Sequence, residues 1–383
     1  MRSHFQAANR PLSPYSLISI LILGLLLACI VGSFSGVMTV HFGDVCEAFK
    51  LLFFDDIGLG GAHVGNDRLN NGAGSNPTAQ VISQLRWPRL VLAMSVGACL
   101  AVCGASLQGL FRNPLADPSL IGVSAGASIG AGLAIVVLET LFRSMSFSLP
   151  HWAVQHLVAL CAFVGAGLVA WLIYIIATCR RADGLMGAAG GTSVTAMLLA
   201  GIAVASLAGA VSGVLTLIAD DNELRRVSFW QMGSLETSGW GVSILAFVVS
   251  VIVCSLLTQQ AKALDALALG EVEASHLGVN VARLKRRLVL LSAFGVGVSV
   301  ALTGMIGFLG LVAPHGVRLL IGPNHRYLLP ASALMGALLL VLSDILSRAV
   351  LSPLVIPVGM VTAVLGAPVF LWLVSRHPQR YGQ

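Results

Sequence analysis

Apolar runs of about twenty residues begin near positions 17, 89, 119, 152, 193, 241, 287, 328 and 355, and they constrain this chain more than any motif in it. Twenty apolar residues wound into a helix cover the roughly 30 Å of a bilayer's hydrocarbon, and a helix satisfies its own backbone there. A shorter apolar piece, GFLGLVAPHGVRLL at 307–320, is expected to make a tenth crossing. Only 10% of the 383 residues are charged and the mean hydropathy is +0.90. A soluble domain would carry charge at roughly 25% of its positions. The 42 glycines suit helices packed backbone to backbone, because lipid supplies no hydrophobic drive between them. The expectation is one all-α polytopic membrane domain over residues 1–383, with about ten transmembrane helices.

Two features imitate other classes. Arg2 and Arg10 precede an apolar run from Leu17 to Val31, as in a signal peptide, but no A-x-A cleavage site follows. Leu26-Leu27-Ala28-Cys29 resembles a lipoprotein box, yet further spans would follow the cut, so the run is expected to stay as the first span. Among seven cysteines only Cys46 lies in a clearly polar stretch. Cys99 and Cys103 share a helix face at i, i+4 and read as small packing residues. No histidine pair has the H-x-x-x-H spacing of a helical metal site, so neither metal nor disulfide is expected.

With ten spans both termini share a side, and the basic residues of the connecting segments decide which. A cytoplasmic N-terminus puts fourteen Lys and Arg inside, including Arg283, Lys285, Arg286 and Arg287, against eight outside. Residues 1–16 then form a cytoplasmic tail. Residues 54–80, rich in Gly and Asn without an apolar period, form a flexible outer loop. The same orientation places LALGEVEASHLGVN (267–280) in the cytoplasm. Two short helices are expected there, Lys262 to Leu269 and Glu271 to Leu277, broken at Gly270 and closed by a left-handed Gly278. Helices so short need a surface to lean on, either the bundle's own or a partner's.

An internal echo accompanies this layout. Arg89-Leu90-Val91-Leu92 recurs as Arg287-Leu288-Val289-Leu290, and at the same offset Gly97 matches Gly295 and Gly109 matches Gly307. Five spans separate the copies, which would invert the second in the membrane, as in many transporter scaffolds. Chance remains the competing reading, since Leu, Val and Gly dominate every span.

LQGLFRNPLADPSLIGVSAGAS (107–128) ends one helix near Phe111, turns at Pro114 and Pro118, and restarts near Ser119 with Asp117 and Ser119 placed to cap. The turn reads either as a tight hairpin or as a constriction beside a pore. Gly122-Val123-Ser124-Ala125-Gly126 matches G-x-S-x-G, which signals a hydrolase only on a strand-turn-helix elbow beside a base; in a membrane helix it reads as close packing. RWPR (86–89) puts two arginines and a tryptophan at the outer mouth of the second span, as interfacial anchors commonly sit. With Arg348 on the same side they also suit docking of an acidic surface, and Asp344 is spaced to pair with Arg348 at i, i+4. His315 lies at membrane depth, where a structural role is favoured over proton relay. The three lysines, Lys50, Lys262 and Lys285, lie outside any G-x-x-x-x-G-K-[ST], so ATP could drive this chain only through another subunit.

Glu271-x-x-Ala274-x-x-x-Gly278 resembles the loop by which permeases of ABC importers engage their ATPase subunits. With it come RWPRL, LQGLFRNPLADPSLIGVSAGAS, SFWQMGSL, GMIGFLGLVAPHGVRLLIGPNHRYLLPASALMGALLLVLSDILSR and IPVGMVTAVLGAPVFLWLV, in order from about Leu17 to Val374. Together they are similar to the FecCD family, permeases for iron complexes and cobalamin. The resemblance implies a type II ABC importer permease fold in the bacterial inner membrane and a homodimer or close heterodimer. It also implies an ATPase subunit dimer carrying ATP and magnesium on the cytoplasmic side, a periplasmic substrate-binding protein outside, no cofactor on this chain and no nucleic-acid partner.

Carried over by position, Leu264, Leu267, Gly270, Glu271, Ala274 and Gly278, within a 262–280 segment, would couple to the ATPase. Arg86, Arg89 and Arg348 would meet acidic residues of the binding protein. Asn113 and Leu115 would belong to the cytoplasmic gate, and Thr192, Ser193 and Thr195 are further gate candidates whose sequence departs from the family pattern. LGEVEASHLGVNVARLKRRL looks most like haem permeases, with ferric siderophore permeases next and cobalamin import the alternative. The rival class is an ion-gradient-driven secondary transporter. It would need intramembrane carboxylates, and the acids near spans, Asp344 and Glu139, fall at their outer ends.

Overall fold

The computed structural model describes residues 12–36, 40–52, 77–138, 140–141, 150–179, 194–236, 239–351 and 354–376. Among them helices are the only regular structure. In chain order these are α1 (Pro14–Phe34), α2 (Phe42–Lys50), α3 (Pro77–Phe111), α4 (Val123–Leu138), α5 (His151–Cys179), α6 (Val194–Ile218), α7 (Asp221–Gln231), α8 (Trp240–Thr258), α9 (Ala261–Leu269), α10 (Glu271–His276), α11 (Val281–Thr303), α12 (Leu309–Ile321), α13 (His325–Ala349) and α14 (Val358–Arg376). Seven of them, α1, α3, α5, α6, α8, α11 and α13, are long and apolar enough to cross a membrane. The shorter apolar α4, α12 and α14 complete the expected ten.

Local chemistry sets the boundaries. Pro14 opens α1, and the Ser13 hydroxyl accepts from Ser16 N at 3.1 Å. Asn280 caps α11 through Arg283 N, and Asn324 caps α13 through Arg326 N, each at 3.0 Å. The expected outer loop ends earlier than Gln80, because Pro77 already starts α3; residues 53–76 lie outside the described residues. A π-helical turn at Ile82–Arg86 then leads into Trp87. At the far end of α3, Arg112 takes a left-handed conformation (φ 49°) and the chain turns through Asn113-Pro114.

α3 is the axis of the bundle. Of its most apolar window 83% is buried, against 22% for α5 and 17% for α6. Glycine makes this density possible. A Cβ at Gly97 would collide with the Gly336 carbonyl of α13, and one at Gly104 with the Gly310 carbonyl of α12. α4 and α5 touch in the same way, Gly126 against Gly165 and Gly130 against the Cys161 carbonyl. The outer helices show the complementary pattern. Leu23, Leu26, Leu160, Leu168, Trp171, Leu207 and Leu217 project away from the protein, which water would not tolerate and lipid favours.

α3 and α13 run antiparallel, as do α3 and α11. Arg89 of α3 lies beside Asp344 near one end of the bundle, and Gly109 lies beside His325 near the other. The two RLVL copies therefore start at opposite ends of antiparallel helices, as an inverted repeat requires.

Candidate functional site

The Gly270 end of the bundle carries the two short helices. α9 and α10 fall within one residue of the boundaries expected from sequence, and the hinge and closing positions adopt φ of 136° at Gly270 and 83° at Gly278. A side chain at Gly270 is doubly disfavoured, because the Glu273 carboxylate folds back onto the place its Cβ would take. Leu264, Leu267 and Ala274 point into the bundle and are fully or nearly fully buried. Leu269, Val272 and Leu277 form the opposite, outward crest and are each more than 60% exposed. Short helices that bury one apolar row and present another are clamped on one side and open to a partner on the other.

An ion pair and a carboxylate–histidine hydrogen bond fix this segment to long helices. Glu271 Oε1 accepts from Lys285 Nζ of α11 at 2.7 Å, and Lys285 is only 3% exposed. Asp265 of α9 pairs with His325 of α13 at 2.6 Å. Neither Lys285 nor the Asp265–His325 pair was expected from sequence as a site. The signal available was a single carboxylate in the apolar run ALDALAL, one residue from Leu264.

At the opposite end, the structure brings Arg86, Arg89 and Arg348 together but turns them inward. Asp344 is fully buried, with Arg89 Nε at 2.7 Å and Arg348 Nη2 at 2.9 Å. Arg348 also donates to the Ser35 carbonyl at 2.9 Å, and buried Arg86 donates to the Ser33 carbonyl at 2.8 Å. The i, i+4 pair read from sequence is present, and Arg89 joins it from another helix. In this conformation a buried carboxylate and the carbonyls at the end of α1 hold the three guanidiniums inside.

Between α3 and α4, Asn113 Oδ1 accepts from Leu115 N at 2.9 Å and Asp117 Oδ1 from Ser119 N at 2.8 Å, so consecutive Asx turns stiffen the hairpin. Thr192 and Ser193 lie outside the described residues. Thr195 is in the first turn of α6, and its side chain is likewise outside what is described. Ser124 stands in the first turn of α4, just before the stretch packed tightly against α5, and a 3-10 turn rather than a strand precedes it. His315 is buried in α12.

A cavity of about 480 Å³ opens at the Asp344 end between α4, α5, α7 and α11. Arg225, Arg226, Phe229 and Trp230 of α7 line it, with His156 and Glu236 opposite. α7 is held by a capping box, Asp220 accepting from Glu223 N at 2.8 Å and Glu223 from Asp220 N at 3.1 Å.

Known proteins are similar to this chain in sequence and in fold. The chain is 42% identical over 337 residues to the hemin transport system permease protein HmuU of Yersinia pestis, covering 87% of this chain and 96% of the relative. It is 42% identical to the cobalamin import system permease protein BtuC of Halobacterium salinarum, covering 79% of this chain and 76% of the relative. It is similar to a solved inward-facing structure of a metal-chelate type ABC transporter, with a TM-score of 0.72 at 30% identity, covering 94% of this chain and 99% of that one. Such relatives are permease subunits rather than enzymes, with ATP hydrolysis on a separate subunit. Residues 20–376 match the FecCD transport family, and with the relatives this shows that the chain belongs to that family and is a permease of an ABC importer.

Proposed function

We propose that this permease moves an iron complex, haem in the first place and a ferric siderophore next, from periplasm to cytoplasm. The chain works as a homodimer in the bacterial inner membrane with both termini in the cytoplasm. The observation that carries the import role is the Gly270 end: a glycine-hinged pair of helices, clamped by an ion pair and a carboxylate–histidine hydrogen bond and presenting an apolar crest, in a sequence without a G-x-x-x-x-G-K-[ST] motif. The crest of Leu269, Val272 and Leu277 meets the ATPase subunit. Closure of the ATPase dimer pushes α9 and α10, tilts the long helices and switches the gate at Asn113 and Leu115, with Thr192, Ser193 and Thr195 as a second gate element. At the other end the substrate-binding protein docks, its carboxylates competing with Asp344 for Arg89 and Arg348 while Arg86 shapes the rim.

Haem is favoured by the hemin permease relative, which aligns over nearly its whole length. The cavity at the docking end agrees: paired guanidiniums beside Phe229 and Trp230 suit a flat apolar molecule carrying carboxylates. Import of cobalamin is the second reading, favoured by relatives of equal identity but shorter coverage. The absorption spectrum of the partner binding protein as purified separates these. Haem bands are the expected result, and corrinoid bands would move the chain to cobalamin import.

A further inference from the structure

α3 and α13 are joined at three heights. At the outer end Arg89 reaches the buried Asp344 at 2.7 Å. Midway, Gly97 and Gly336 bring the two backbones into contact. At the inner end Gly109 leaves room for the His325 ring: a Cβ there would lie 2.7 Å from Nε2 and 3.0 Å from the Leu264 side chain. Two helices pinned at both ends and touching between them cannot bend independently, so the pair behaves as one body over the 25 residues of α13, about 37 Å.

The coupling segment meets this body through Leu264, packed beside Gly109, and through one polar contact. Asp265 Oδ1 accepts both from His325 N, at 3.0 Å, and from the ring Nδ1, at 2.6 Å. The carboxylate therefore caps the first turn of α13 and fixes its first side chain at once. His325 is buried and Asp265 is 38% exposed on α9, so the pair joins the surface facing the ATPase to the interior. The ion pair of Glu271 with Lys285 ties α10 to a different helix, α11. α9 and α10 thus pull on separate long helices.

We propose that Asp265 and His325 are positioning residues for transport. They form the joint through which movement of α9 reaches the α3–α13 strut, and the strut carries it to the arginine cluster at the outer mouth. The idea rests on the importer reading above. Linkage requires that the state of the ATPase and the affinity for the binding protein influence each other equally, so a severed joint must show at the far end.

The test measures the affinity of the substrate-binding protein for the reconstituted permease–ATPase complex, with and without ATP trapped on the ATPase. In the unmodified complex the affinity should shift by on the order of tenfold or more. His325→Leu, which removes the Nδ1 donor, should reduce the shift at least fivefold while the ATPase stays bound. His325→Asn, which keeps a donor at the Nδ1 place, should restore most of it. If His325→Leu prevents assembly, Asp265→Ala gives the same reading from the other side of the joint, because it removes the acceptor that Nδ1 uses. An undiminished shift in the Leu variant, or equal loss in Leu and Asn, overturns the joint. No shift in the unmodified complex sinks the importer reading and the joint with it.

Discussion

Asp344→Ala is the sharpest perturbation of the outer cluster. The wild-type carboxylate is fully buried and shared by Arg89 and Arg348, themselves only 13% and 10% exposed. Truncation leaves two guanidiniums in a poorly hydrated place. Removing one partner of a buried pair costs about 3–5 kcal/mol, mostly as the penalty on the charge left behind. Arg348 keeps the Ser35 carbonyl at 2.9 Å and the backbone carbonyl of residue 344 at 3.3 Å, so most of the loss falls on Arg89. The second charge should therefore be removable at a gain: Arg89→Met added to Asp344→Ala should recover about 2 kcal/mol relative to the sum of the single changes. Denaturant-titrated unfolding of the four proteins in mixed micelles reads this cycle. A cost under about 1 kcal/mol for Asp344→Ala, or additivity within about 0.5 kcal/mol, would refute the buried-cluster argument.

Other changes test other layers. Gly104→Ala drives a methyl into the Gly310 carbonyl where α3 meets α12, and should cost about 1–3 kcal/mol in the same unfolding assay, whereas the exposed Gly209→Ala should cost little. Glu271→Ala combined with Gly278→Pro removes the Glu271 carboxylate from buried Lys285 and distorts the closing turn; pull-down of the ATPase subunit should fall severalfold, and unchanged assembly and uptake would remove the coupling role. Ser124→Ala should leave uptake intact, because Ser124 lies in a helix-packing stretch, and a loss of activity there would reopen the hydrolase reading.

The crossings were legible because the bilayer imposes one length on every span, so the ten apolar windows landed on α1, α3, α4, α5, α6, α8, α11, α12, α13 and α14. The coupling segment was legible for a different reason: Gly270 and Gly278 are backbone requirements, which sequence states directly. Of the arginine cluster only the Asp344–Arg348 pair was legible; the part Arg89 plays in it was not. Arg89 and Asp344 are 255 residues apart, and whether a guanidinium at a helix end faces water or a buried carboxylate depends on packing that no local pattern encodes. Asp265 and His325 escaped for the same cause, each unremarkable alone and meaningful only when α9 and α13 are brought together. The loop expected over 54–80 was drawn four residues too far, because Pro77 at the first position starts a helix.

The central claim is that this chain imports cargo on the energy of a separate ATPase. Proteoliposomes holding the permease with its ATPase subunit, supplied with the loaded binding protein, measure it directly. Cargo should accumulate only with hydrolysable ATP, at a rate unaffected by a protonophore. Accumulation that persists without ATP and collapses when the proton gradient is dissipated would contradict the account.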